Sequence, residues 1–119
     1  MIKVLEGFPE SVIAVTAHGR VTSRDYSDLL IPRISSVLKL YGKIRLYYEL
    51  GVTFAGLEPG AVWQDFRTGI EHLSYWERVA VVTDVDWILL AVGAFRILMP
   101  GTIRVFHMAQ APEARRWIA

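Results

Sequence analysis

The chain has 119 residues, of which 53% are hydrophobic and 21% are charged, and 13 basic against 12 acidic side chains give a net charge of +1. This composition excludes an intrinsically disordered protein, and the near-neutral charge argues against nucleic acid as a partner. Because the sequence contains no cysteine, it has no disulfide, thiol nucleophile or thiolate metal site. We expect one domain over residues 1–119 with one hydrophobic core.

The first two predicted strands form an antiparallel pair. Residues 1–6 have strand composition, and residues 7–10, Gly-Phe-Pro-Glu, are predicted to form a turn. Because this turn is too short to connect parallel strands, the two strands are expected to be antiparallel. The second strand, residues 11–17, is apolar on both faces, which is typical of a strand at or near the centre of a sheet. Gly19 is expected to end it.

The next element is a helix with an interruption. Thr22 and Asp25 are spaced as a capping box at its beginning. Pro32 lies inside the helical pattern, where the missing backbone donor predicts a kink near Leu30. Gly42 is the expected end of the helix.

The third strand is predicted at residues 43–50, where polar and apolar residues alternate. Its polar-leaning face favours an edge or near-edge position. Residues 51–60 are rich in turn residues and are expected to form a loop, after which Pro59 begins a helix over residues 59–73.

The second half of the chain continues the alternation of strands and helices. Residues 78–83 predict a buried parallel strand, and Asp84 is expected to cap the helix Val85–Met99. A fifth strand follows at residues 102–109, and Pro112 opens a short terminal helix. The order predicts an α/β fold with a five-stranded, mostly parallel sheet covered by about four helices.

The helix Val85–Met99 is more apolar than a surface helix requires. A helical wheel places Trp87 and Ile88 on a broad face that suits a sheet. The side where water is expected includes Leu89, Leu90, Gly93, Arg96 and Ile97. A dimer partner, an apolar ligand or a membrane surface would each cover this second apolar side, although the helix is shorter than the roughly 20 residues of a membrane span.

Two tryptophans are candidates for a binding site. Trp63 and Trp87 begin helices that follow parallel strands, so both are expected at the end of the sheet where α/β proteins usually bind ligands. They line an apolar pocket there or belong to the core. Arg96 either extends its charged head to solvent or meets an acidic group of a lipid or ligand. The ligand or interface candidates are Trp63, Phe66, Trp87, Leu89, Leu90, Gly93, Arg96 and Ile97.

The sequence contains no catalytic or metal-binding signature. His18, His72 and His107 lack metal-ligand spacing and are interpreted as structural or surface residues. No serine occupies a nucleophile elbow, and no glycine-rich loop resembles a phosphate site. We therefore predict a protein that is not an enzyme and needs no cofactor or metal. An acid or base role for Asp65 or His72 remains the enzymatic alternative, without a partner residue to support it.

Several segments resemble the SpoIIAA-like family of small bacterial proteins. They are GRVTSRDYSDLLIPRI at residues 19–34, KIRLYYEL at 43–50, AVWQDFR at 61–67 and RVAVVTDVDWILLAVGAF at 78–95. That family is similar to the STAS domain of anti-sigma-factor antagonists and to the lipid-carrying CRAL-TRIO domain. The resemblance implies a sheet whose first strand is antiparallel and whose other strands are parallel.

One departure bears on the regulatory side of this resemblance. Antagonists of the STAS type carry a phosphorylatable Ser or Thr in the loop that enters the second helix. Here the segment reads GVTFAGLEPGA, and Thr53, its only hydroxyl residue, comes too early. Phosphorylation needs an acceptor hydroxyl, so the usual phosphorylation switch is not expected.

The sequence thus favours a non-enzymatic binding module that carries or senses an apolar small molecule or lipid and contacts membranes peripherally. The alternative is a STAS-like regulatory module that binds a protein partner or forms a homodimer through the same apolar helix face. Because no secretory signal is evident, the cytoplasm is the expected location.

Overall fold

The computed structural model describes residues 1–57, 75–90 and 102–119. Within them, five strands form one sheet in the order β1-β2-β3-β4-β5. The strands are β1 (Ile2–Val4), β2 (Val12–Val21), β3 (Ile44–Leu57), β4 (Trp76–Thr83) and β5 (Thr102–Phe106). β1 is antiparallel to β2, and every later neighbouring pair is parallel. The predicted mostly parallel sheet is confirmed.

The described helices follow β2, β4 and β5 in the chain. They are α1 (Ser23–Asp25), a π-helical turn (Tyr26–Leu30), α2 (Ile31–Tyr41), α3 (helical over residues 86–90), a 3₁₀ turn (Met108–Gln110) and α4 (Ala111–Ile118). The predicted helix at 59–73 and residues 91–99 of the predicted apolar helix lie outside the described residues.

The interruption predicted at Pro32 is present as the π-helical turn that precedes α2. Pro32 lies in the first turn of α2. Because proline has no N–H to donate to the preceding turn, the helical ladder cannot pass through it regularly, and the backbone widens just before it. Gly42, with φ of 73°, ends α2 and donates its N–H to the Leu38 carbonyl over 2.9 Å.

The predicted capping box begins this helical region. The Thr22 N–H donates to Asp25 Oδ2 over 2.8 Å, and the Asp25 N–H donates back to the Thr22 hydroxyl over 3.3 Å. Partial burial by itself raises the pKa of Asp25, but the hydrogen bonds from Thr22 and the nearby Met1 ammonium together outweigh it and lower that pKa below its ordinary value.

The sheet is covered on both faces, with two apolar clusters. The cluster under α2 includes Ile34 of that helix and Ile88 of α3. The cluster under α4 is built around Phe106 and includes Ala114 and Ile118 of that helix. β2 supplies residues to both clusters in alternation, as its two apolar faces predicted.

The predicted edge position of β3 is wrong, because β3 is the central strand of the described sheet. Its polar side chains lie beneath α4, where they find partners. Arg45 Nη1 donates to the Ala119 carbonyl over 2.8 Å, and the fully buried Tyr47 donates its hydroxyl to Glu49 Oε1 over 3.1 Å. Burial and the neighbouring Glu49 carboxylate raise the pKa of Tyr47 to about 12. The alternation of polar and apolar residues along β3 does not show whether its polar side chains are covered by another element or exposed to solvent.

The predicted ends of β2, β3 and β5 are also wrong. The fifth strand was expected to reach residue 109, but β5 ends at Phe106 and a 3₁₀ turn occupies Met108–Gln110. β2 continues through Gly19 to Val21, with irregular register on either side of Gly19, whose φ is 57°. β3 continues through residues 51–57, which were expected to form a loop. The two extensions pair with each other, since Gly19 lies opposite Phe54 and Val21 opposite Leu57. Gly19 therefore accommodates an irregular register within β2 without ending the strand.

An ion pair near the beginning of β3 and β4 is expected to make the stability of the fold fall at acidic pH. Glu77 contacts the Arg45 guanidinium directly, and Lys43 Nζ lies 3.6 Å from its Oε2. The hydrogen bond from Arg45, aided by both positive charges, holds the pKa of Glu77 below its ordinary value of 4.5 despite partial burial.

A lowered carboxyl pKa stabilises the fold above the unfolded-state value, and this contribution disappears as the pH falls through the folded-state value. We therefore expect urea unfolding of the wild type to lose more stability between about pH 6 and about pH 3 than unfolding of the Glu77→Gln variant. Identical acid dependence in the two proteins would contradict this assignment.

Candidate functional site

Two adjacent parallel strands end side by side and bring polar residues together at the carboxyl edge of the sheet. β4 ends at the fully buried Thr83, and β5 ends at the buried Phe106. The next residues, Asp84 and His107, meet with 3.1 Å between Asp84 Oδ1 and His107 Nδ1. The same carboxylate oxygen accepts the backbone N–H of Met108 over 3.2 Å.

This arrangement corrects the predicted role of Asp84. Its carboxylate was expected to cap the following helix, but it contacts the chain after β5 instead. The Thr83 hydroxyl accepts the N–H of Val85 over 3.1 Å, immediately before α3. Asp84 thus connects the ends of two strands, and Thr83 holds the beginning of α3.

The Asp84–His107 contact holds two chain segments together but contributes little to stability. The side chains are 59% and 68% exposed, so solvent screens their attraction, and such pairs typically contribute about 0–1 kcal/mol. The interpretation of His107 as a structural or surface residue agrees with its exposure. Sequence reasoning missed the contact with Asp84, although each residue directly follows one of two parallel strands.

α3 exposes large apolar side chains at the same edge. Ile88 is buried against the sheet, while Val85 and Leu89 are half-buried. Trp87 is 48% exposed and Leu90 is 77% exposed. Since residues three apart on a helix are neighbours, these two side chains form one exposed patch.

The outward orientation predicted for Leu90 is confirmed, whereas the sheet-facing position predicted for Trp87 is wrong. The backbone of α3 begins only at residue 86, after the Thr83 bond to Val85, and its described turn uses Ile88 for the contact with the sheet. The rotation of α3 relative to the sheet therefore depends on how its first turn is attached. A helical wheel gives the relative positions of side chains around a helix, but it does not give that rotation.

We call the exposed residues at this edge the carboxyl-edge surface: Asp84, Asp86, Trp87, Leu90 and His107. It combines an aromatic and an aliphatic side chain with two exposed carboxylates. Aromatic anchors bordered by polar residues are typical of protein interfaces. Among the predicted site residues, Trp87, Leu89 and Leu90 are described, and those that lie outside the described residues are Trp63, Phe66, Gly93, Arg96 and Ile97.

The described residues contain neither a metal-binding cluster nor a membrane-spanning helix. Residues 1–57, 75–90 and 102–119 contain no group of three or more His, Cys, Asp or Glu side chains placed to hold a metal ion. Over those same ranges, no helix combines the length and apolarity needed to cross a membrane.

Comparison with known proteins identifies the family. The sequence profile of the SpoIIAA-like family matches residues 12–119, which is most of the chain. The chain belongs to the SpoIIAA-like family. No curated protein matches the sequence. A crystal structure of an uncharacterized protein of the DUF3478 family with a SpoIIAA-like fold, from Shewanella loihica PV-4, superposes with a TM-score of 0.75 and 21% identity. The match covers 99% of this chain and 94% of that one. The SpoIIAA-like fold expected from the sequence segments is thus confirmed.

Proposed function

We propose that this chain is a non-enzymatic regulatory module that binds a protein partner through the carboxyl-edge surface. Membership of a family with a STAS-like fold supports a binding role over a catalytic one. The observation that carries the proposal is the exposure of Trp87 and Leu90 beside each other on α3.

This exposure favours a partner that covers the surface from outside. Burying a leucine or comparable side chain contributes roughly 1.5–3 kcal/mol, and Leu90 leaves most of that contribution unused. Tryptophan is among the residues that most often dominate binding energy at interfaces. Asp84 and Asp86 lie next to the apolar patch in the chain and supply a charged rim that would select a partner with basic residues.

Photo-crosslinking tests the proposal and identifies the partner. A photoreactive amino acid replaces Leu90 in one protein and Ser36, an exposed residue of α2 outside the surface, in a control. We expect irradiation in cells to link position 90 to a defined protein and position 36 to none. Equal crosslinking at both positions, or none at position 90, would refute a binding role for this surface.

Carriage of an apolar small molecule, with peripheral membrane contact, is the second candidate function. Trp87 supports it, because a half-exposed indole lies at the edge of the sheet where α/β proteins commonly bind ligands. This candidate predicts a lipid in organic extracts of the purified protein and sedimentation with liposomes. A protein without extractable ligand and without liposome binding would eliminate it and leave the protein-binding function.

A further inference from the structure

Two arginines and two aromatic rings meet on the face of the sheet that α4 covers. Because side chains alternate along a strand, Arg78 of β4 and Arg104 of β5 lie on the same face as Phe106. The ring of Trp117, from α4, has its centroid 6.0 Å from that of Phe106. The guanidinium carbons of Arg78 and Arg104 lie 5.5 Å and 5.4 Å from the centre of the Trp117 ring. We call these four side chains the Trp117 cluster.

Arg104 is the exposed cation of the Trp117 cluster. Arg78 Nη1 donates to the Trp117 carbonyl over 2.9 Å, so its side chain is used to hold the end of α4. The contacts of Arg104 are with rings, since its guanidinium carbon also lies 4.9 Å from the centre of the Phe106 ring. Among the described residues, no oxygen accepts a hydrogen bond from Arg104 and no carboxylate forms an ion pair with it. Attraction to an aromatic face supplies no acceptor oxygen, so the guanidinium keeps N–H donors for one.

The two rings also hold Arg104 in place before any partner binds. An arginine side chain ordinarily loses rotamer freedom when it binds, and packing against rings in the free protein lowers this entropic cost. The planar guanidinium presents its donors in a fork that matches the two oxygens of a carboxylate. The Trp117 cluster therefore suits an anionic group with two acceptor oxygens.

The carboxylates of the neighbouring strands are engaged elsewhere. Glu49 accepts the Tyr47 hydroxyl over 3.1 Å, and Tyr47 lies close enough to Arg115 for that guanidinium to act on the tyrosine pKa. Glu77 forms its ion pair with Arg45. Neither carboxylate therefore compensates the charge of the Trp117 cluster.

α4 adds charges of both signs beside the cluster. Arg116 precedes Trp117 in the last turn of α4, Glu113 lies one turn earlier, and both side chains are exposed. These two charges cancel in the sum, so the net charge at the cluster is the positive charge of Arg78 and Arg104. An excess of this sign selects a partner with negative charge.

From these observations we propose that the Trp117 cluster is a second docking surface, which binds an acidic segment of a protein through a carboxylate held by Arg104. Arginine and tryptophan are among the residues most enriched in the hot spots of protein interfaces, which favours a protein carboxylate as the bound group. Recognition of an anionic membrane typically uses a cluster of about four to eight cations, which is more than this cluster contains.

The Trp117 cluster and the carboxyl-edge surface lie on different sides of the sheet. Trp117 packs against the apolar cluster under α4, whereas Ile88 of α3 belongs to the apolar cluster under α2. A module with both surfaces can hold two proteins at once. The inference therefore goes beyond the proposed function and is tested separately from it.

Titration of the isotopically labelled chain with a hexaglutamate peptide, followed by NMR at low salt, tests this docking surface. The indole N–H resonance of Trp117, assigned with a Trp117→Phe variant, reports on the cluster directly. We expect this resonance to shift saturably with hexaglutamate and to stay in place with hexaglutamine. Arg104→Gln should weaken binding by about tenfold or more. Arg104→Lys should also weaken it, because lysine keeps the charge but lacks the planar fork.

Two controls complete the design. Arg33→Gln removes the same charge at an exposed position of α2, on the other side of the sheet, and should bind hexaglutamate like the wild type. Leu90→Asp should likewise bind hexaglutamate normally, and Arg104→Gln should still allow crosslinking from position 90. Circular dichroism verifies that every variant is folded.

Three results would overturn the proposal for the Trp117 cluster. They are an unchanged Trp117 resonance in the presence of hexaglutamate, equal affinities of the wild type and Arg104→Gln, and wild-type affinity of Arg104→Lys. Sedimentation with phosphatidylserine vesicles that depends on Arg104, without any effect of hexaglutamate, would assign the cluster to a membrane surface instead. If position 90 does not crosslink although hexaglutamate binds as expected, the proposed function fails and the second docking surface stands.

Discussion

Replacing Phe106 with alanine is expected to lower the free energy of unfolding by about 3–5 kcal/mol, the usual cost of removing a buried aromatic ring. Phe106 is 2% exposed, and its ring centroid lies 6.0 Å from that of Trp117 of α4. The Arg104 guanidinium lies 4.9 Å above the Phe106 ring. The substitution therefore leaves a cavity between the last strand and the terminal helix that covers it.

Urea unfolding measures this loss. Thr102→Ala alters an exposed residue at the other end of β5 and is expected to change stability by no more than about 0.5 kcal/mol. A Phe106→Ala protein as stable as the Thr102→Ala protein would show that α4 does not depend on the apolar cluster beneath it.

Ile34→Ala is expected to cost about 2–5 kcal/mol on the opposite face, whereas Ile34→Val costs about 0.5–1.5 kcal/mol. Ile34 has no exposed surface and belongs to the apolar cluster that also contains Ile88 of α3. The graded pair of variants separates loss of volume from any change of polarity. Equal stability of the two variants in urea would contradict close packing of α2 on the sheet.

Patterns of apolar residues predicted the elements and their order because burial on one or two faces leaves a periodic signal. β2 shows the success, since its two apolar faces correctly placed it inside the sheet. β3 shows the failure, since Arg45 and Tyr47 are polar residues that are covered by α4 and paired with groups distant in sequence or on the same strand. The cover that α4 provides and the contact of Arg45 with Ala119 are tertiary, and they leave no periodic signal in the sequence.

The candidate site was predicted in part for the same reason. The exposure of Leu90 follows from the helical period, but the same period placed Trp87 on the face that suits the sheet, and Trp87 is 48% exposed. The meeting of Asp84 with His107 depends on the adjacency of β4 and β5, which the chain order suggested without fixing it.

The most direct test of the carboxyl-edge surface is the affinity of the crosslinked partner for the wild type, Leu90→Asp and Ser36→Asp, measured by calorimetry with unfolding temperatures recorded alongside. We expect Leu90→Asp to weaken binding by roughly thirtyfold or more, the loss typical of an interface hot spot. Its unfolding temperature should stay unchanged because Leu90 is 77% exposed, and Ser36→Asp should bind like the wild type. Equal affinities of all three proteins would contradict the claim that this surface binds a protein.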